Sequence, residues 1–367
     1  MDPIETDTRH LILQAEYESL GASWVERSGW LLPTDFGDVH GELQAVRKGC
    51  GVIDKSYFGR IRVTGETARD FLHRMTSAPI NDLTEGRGME TIVTTAEGRF
   101  VDWVTVYRTG DQELYLITGP GAAQPVIEHL QAYIFFKDHV EFEPVGEDGA
   151  FLQFSGPECK SVLREAFGVE LDPAEPYRLQ TVGDPGDGIT ITCMPGLTSP
   201  DGGLFFPHRA GETVWDRLQS VSQDWQPVGF QAYQIARISA GIPQYPAEIN
   251  DRHIAPEAHL ISPVDLDSCF AGQEVIARTI NYDKIKQHLC QFEIAGASGD
   301  LLTTPADVYR GEQRIGELTS VIWSPEQESH RGLGYIRTRY LEENLSVEIM
   351  QEDRQLSGIM LRKTDPR

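Results

Sequence analysis

The strongest constraint on the fold is a grammar of strands and helices that occurs twice along the chain and then stops. Residues 61–63 alternate as a strand closed by Thr64-Gly65, and residues 66–75 place Ala68, Phe71, Leu72 and Met75 on one helical face. Strands follow at 91–95, 100–107 and 113–118, with Ala96-Glu97-Gly98 and Gly119-Pro120-Gly121 as turns, and a helix over 125–133 completes the unit. A second unit has strands at 149–155, 188–193 and 203–206 and helices near 158–167 and 212–221. From His288 the texture changes to short alternating strands separated by turns rich in Gly, Pro and Glu, the pattern of a small β-barrel. The expected fold class is therefore α+β: two mixed α+β lobes with antiparallel sheets plus a C-terminal small β-barrel. The expected division is 1–285 for the two lobes, roughly 53–140 and 1–52 plus 141–285, and 286–367 for the barrel.

Composition narrows the function classes. At 367 residues, 40% of them hydrophobic, the chain can bury more than one core, yet no stretch approaches the ~18 uninterrupted apolar residues of a membrane helix. A net charge of −24 repels phosphate backbones and anionic membranes, so neither nucleic acid nor membrane is an expected partner. Residues 1–9 lack the basic-then-apolar layout of a secretory signal, which makes the cytoplasm the expected location. The five cysteines contain no CxxC pair, and the histidines have no metal-ligand spacing, so neither a disulfide framework nor a metal site is expected. P-loop, GxGxxG, GxSxG and HExxH motifs are absent.

An ordered series of short matches carries the reading further. Leu20-Gly21-Ala22, Gly29-Trp30, Ala45-Val46-Arg47, Gly51-Val52-Ile53-Asp54-Lys55-Ser56, Arg62-Val63-Thr64-Gly65 and Phe71-Leu72 resemble the N-terminal half of the aminomethyltransferase (T-protein) of the glycine cleavage system. The likeness resumes at Gly229, at Arg237-Ile238-Ser239-Ala240-Gly241 with Tyr245, and at Gly316-Glu317-Leu318-Thr319-Ser320 with Gly334-Tyr335. Ser268-Cys269-Phe270-Ala271-Gly272-Gln273-Glu274 is similar to the Lys-Gly-Cys-Tyr-x-Gly-Gln-Glu signature of the YgfZ-type folate-binding branch of the same superfamily, with Asp267 and Ser268 in place of Lys-Gly. The resemblance implies a three-lobed, clover-leaf arrangement around a folate channel, with tetrahydrofolate as cofactor. It gives as leading function a tetrahydrofolate-binding protein of the YgfZ type that supports iron–sulfur client proteins. The alternatives are an aminomethyltransferase that takes a methylene unit from a lipoyl carrier protein, or a related folate-dependent demethylase.

Site residues follow from the same resemblance. Asp102, in Gly98-Arg99-Phe100-Val101-Asp102-Trp103, stands where T-proteins carry an aspartate near the folate nitrogens, and an anion there can orient the pterin and stabilise a developing cation. Arg237 matches a folate-contacting arginine, whose planar fork suits a pterin edge or a carboxylate. Leu204 stands where T-proteins have a Glu that accepts two hydrogen bonds from the pterin, so Leu204→Glu is expected to strengthen binding. Tyr57, with Phe58, and Tyr335 are expected at the cofactor, and Cys269 is a catalytic candidate for which a redox or partner-contact role ranks above nucleophilic attack.

Overall fold

The computed structural model describes residues 8–198, 200–222, 224–298, 302–351 and 354–364; residues 1–7 of the N-terminal stretch that lacks a secretory layout lie outside them. The fold is the mixed α+β, three-lobed one expected. The first lobe is a five-stranded antiparallel sheet in the spatial order Arg87–Thr94, Phe100–Arg108, Glu113–Pro120, Phe58–Thr64, Glu141–Pro144. Helices Ala68–Met75 and Ala123–Gln131 cover one face, and Phe71, Leu72, Val126, Ile127 and Leu130 from them pack on Ile61, Val63, Val104, Val106 and Leu116. These side chains recur at helical spacing on one partner and at alternate positions on the other, which is why a single apolar layer forms between them.

The second lobe is a six-stranded sheet in the order Leu179–Thr181, Thr190–Met194, Asp201–Pro207, Gly149–Ser155, Gly51–Asp54, Gln226–Val228. Its strands are antiparallel except that Gln226–Val228 runs parallel to Gly51–Asp54. Gly149–Ser155 is central and almost wholly buried, and it reads as a run of apolar residues interrupted by Gln153 and ended by Ser155. Leu152, Phe154, Leu204 and Phe206 face a core completed by Val162, Leu163, Val214 and Leu218 of helices Cys159–Phe167 and Gly211–Gln219.

Six strands from Gln287–Ile294 to Arg354–Lys363 close into the barrel expected after His288. Helix Phe230–Ala240 joins it to the lobes: Arg237, itself buried, donates through Nη1 to Glu248 at 3.0 Å and through Nη2 to Ser320 of the barrel at 3.0 Å. Glu248 also accepts from Thr319 at 2.7 Å and Ser320 at 2.5 Å. Among the described residues no helix is long and apolar enough to cross a membrane.

Candidate active site

The two sheets turn faces toward each other, and between them lies a cavity with about 840 Å³ of non-atom space, part of it open to solvent. The enclosed part of that space, about 110 Å³, is smaller than the roughly 300–1,000 Å³ of typical small-molecule sites, so most of a bound ligand would extend into the open part. The first sheet contributes Glu90, Asp102, Trp103, Thr105, Tyr107 and the Ile117–Gly119 end of its central strand. Opposite them stand Phe151, Gln153, Met194 and Phe205, while Lys55, Phe58 and Tyr233 line the flank and the 242–245 segment closes one end. Phe151 and Phe205 stack at 4.6 Å, with Tyr107 edge-on to Phe205 at 5.7 Å. The wall thus offers flat aromatic surface with a few polar groups set into it.

Asp102 reaches this wall through a defect in the ladder. A bulge at Val93/Thr94 leaves Val101 without a direct partner just before Asp102, and bulges re-aim the side chains beside them. On the other side, pairing with Glu113–Pro120 stops at Thr105↔Ile117, so beyond that point the two strands part. The Asp102 carboxylate fills the gap, accepting from the Gly119 N–H at 2.7 Å and from the Trp103 N–H at 2.9 Å. Gly119 must be glycine here, because a Cβ would lie 2.5 Å from the Tyr245 Cβ. Burial lifts the Asp102 carboxyl from its ordinary 3.8 to about 7, and the two backbone hydrogen bonds limit the rise by favouring the anion. An acid of that strength changes charge within the range where enzymes work.

The opposite wall is organised by Asp201, which is fully buried. It accepts from Gln153 Nε2 at 2.5 Å, from Ser155 Oγ, from the Leu197 N–H at 2.8 Å and from Thr198 Oγ1 at 3.1 Å. One carboxylate therefore fixes both the Gln153 amide and the 195–197 loop that lines the cavity.

The structure separates the residues that the sequence grouped. Asp102 is in the wall, but Arg237 is behind it: its guanidinium is spent on Gln234 at 2.9 Å, the Ile242 carbonyl at 3.0 Å, Glu248 and Ser320. Its link to the cavity runs through Gln234, which donates to the cavity-lining Gln244 at 3.2 Å. Leu204 points the other way altogether. Strand alternation sends Phe205 to the cavity and Leu204, paired with Leu152, into the core, so no gain in affinity follows from a glutamate there. Phe58 lines the cavity, whereas Tyr57 is packed in the core edge-on to Phe58 and Phe230. Tyr335 belongs to the barrel junction, stacking on His253 at 3.6 Å and donating to the Glu248 carbonyl at 3.0 Å.

Cys269 is exposed on the loop before helix Gln273–Asn281 and is not a cavity residue. The rest of its motif has structural work. Gly272, at φ +80°, sits where a Cβ would meet the Gly98 Cα and the Thr95 carbonyl oxygen at 2.5 Å, and Gln273 donates to the Leu266 carbonyl at 2.6 Å. Sequence reading missed Gln153, Phe151, Phe205 and Gln244; a lone amide in an apolar central strand was the one signal that pointed to the first.

Comparison with known proteins gives the family and the fold. The GCVT N-terminal domain family matches residues 13–268, and the glycine cleavage T-protein C-terminal barrel domain matches residues 287–361. The chain belongs to the glycine cleavage T-protein family. A chloroplastic protein of Arabidopsis thaliana with a provisional transferase description is 31% identical over 87% of this chain and 72% of its own length. The aminomethyltransferase of Thermotoga neapolitana is 24% identical over 85% of each chain. The crystal structure of the glycine cleavage system aminomethyltransferase T from Bartonella henselae superposes with a TM-score of 0.82 at 20% identity, covering 98% of this chain and all of that one, which establishes the shared fold. Aminomethyltransferases of this T-protein family use tetrahydrofolate. Aromatic side chains Tyr107, Phe151 and Phe205 line the cavity, and the buried Oε1 of Gln153 has no hydrogen-bond partner among the described residues.

Proposed function

We propose that this T-protein relative is a tetrahydrofolate-dependent one-carbon transferase of the aminomethyltransferase kind, taking a methylene unit from an aminomethyl group on a lipoyl carrier protein and releasing ammonia. The observation that carries this reading is the Asp102 carboxylate, buried in the wall of an aromatic cavity and held there by two backbone N–H groups. Tetrahydrofolate, when bound, supplies the nitrogen that accepts the one-carbon unit. Phe151, Phe205 and Tyr107 offer it stacking surface, and Lys55 and Glu90 provide charge at the flank. Asp102, as the anion, favours any transition state in which positive charge grows beside it, and because its two donors are already in place it needs no reorganisation to do so. The direct test supplies a lipoyl carrier bearing the aminomethyl group and follows ammonia and methylene-tetrahydrofolate. The expected outcome is turnover that falls about 10²–10³-fold in Asp102→Asn, as for loss of one preorganised electrostatic group; a wild-type chain that forms neither product contradicts the reading.

The YgfZ-type role, which ranked first on sequence motifs, becomes the second reading. The comparisons favour the transferase, and only the exposed thiol of Cys269 speaks for contact with iron–sulfur clients. Under that reading Cys269→Ala abolishes rescue of iron–sulfur enzymes in a cell lacking such a protein while folate binding persists.

A further inference from the structure

We propose that Gln153 is the specificity-determining residue that reads the N–H donors on the edge of the bound ring, an inference that rests on the folate reading above. Gln153 is 1% exposed and stands in a strand whose neighbours Ala150, Phe151, Leu152 and Phe154 are all apolar. Its amide orientation is fixed by chemistry: Asp201 can only accept, so Nε2 is the end that faces it, at 2.5 Å. Oε1 is thereby left as a buried acceptor with no hydrogen-bond partner among the described residues. A leucine would fit the strand's pattern and avoid that deficit, so the unmet acceptor points to a partner that arrives with the ligand.

The surroundings define the ligand's chemistry. Gln153 follows Phe151 on the same face of the strand and both line the cavity, so a flat ring packed against Phe151 has the Gln153 amide beside it. The 2-amino-4-oxo edge of a pterin carries both an amine and a ring N–H. Because Asp201 also holds Ser155 and the Leu197 and Thr198 backbone, the Gln153 side chain is tied to a braced wall and cannot swing away without breaking its hydrogen bond to Asp201. A neutral amide oxygen offers two lone pairs on a single atom and adds no charge, so this site reads the ring's edge more weakly than the two oxygens of a carboxylate would. It does so in place of Leu204, which is turned into the core.

The test titrates tetrahydrofolate and its 2-desamino-2-methyl analogue, which lacks the donor amine, against the wild-type chain and Gln153→Leu. The expected result is that the wild type binds the analogue about ten- to a hundredfold more weakly, as for a buried acceptor left unpaired, and that Gln153→Leu binds both ligands equally. If Gln153→Leu does not fold, the shape-matched Gln153→Met takes its place. Binding of tetrahydrofolate with the same analogue ratio in wild type and variant overturns the assignment of Gln153 alone. A wild-type chain that binds neither ligand overturns the folate reading and this inference with it.

Discussion

Burial gives Asp102 a proton affinity that matters near neutrality, and two consequences can be measured. If the anion is the working form, transfer rises with pH through an apparent pKa of about 7 and then levels off, and the limb is absent from the residual activity of Asp102→Asn. Stability runs the opposite way. The folded chain binds this proton more tightly than the unfolded chain, whose aspartates titrate near 3.9, so the contribution of Asp102 is fully present below about 4 and is lost as pH climbs through about 7. Urea midpoints measured from pH 4 to pH 8 check this, since the fall attributable to Asp102 disappears in Asp102→Asn. At Leu204 the expectation from sequence reverses: Leu204→Glu places an unpaired carboxylate in the core and destabilises by about 3–5 kcal/mol, with no gain in folate affinity. Denaturant unfolding together with folate titration reads both outcomes. Sequence alignment located Leu204 in the right strand but could not tell which face it takes, because one residue of register inverts every side chain.

At the scale of elements, helix Phe230–Ala240 and the barrel strand Gln313–Ser324 meet on the Arg237–Glu248 pair. The matched motifs Arg237-Ile238-Ser239-Ala240-Gly241 and Leu318-Thr319-Ser320 are the two sides of that junction; they join lobe to barrel and do not line the cavity. Glu248→Gln leaves the buried guanidinium without its counter-charge and is expected to cost about 3–5 kcal/mol of stability, read as a lowered denaturant midpoint. The strands and helices themselves were legible: the helix expected over residues 66–75 is Ala68–Met75, and the strand over 100–107 is Phe100–Arg108. Their apolar spacing is set by local geometry. The cavity was not legible in that way, because Phe151, Gln153 and Phe205 come from strands that pair only in three dimensions, and the bulge that aims Asp102 leaves no mark in the apolar pattern.

For the whole molecule, the arrangement explains why one fold needs three parts. Two sheets make opposite walls, the 242–245 segment closes one end, and among the described residues the barrel contributes no side chain to the lining but anchors the helix that carries Arg237. Cys269 lies outside this assembly, so Cys269→Ser is expected to leave tetrahydrofolate binding and turnover within about twofold of wild type, checked by titration and by steady-state assay. The most direct measurement of the central claim, that tetrahydrofolate occupies the space between the two sheets, is calorimetric titration of the purified chain beside a variant in which Thr105→Trp fills that space. Saturable one-to-one binding by the wild type, lost in a folded Thr105→Trp chain, is the expected result; binding that survives with the cavity filled, or no binding by the wild type, contradicts it.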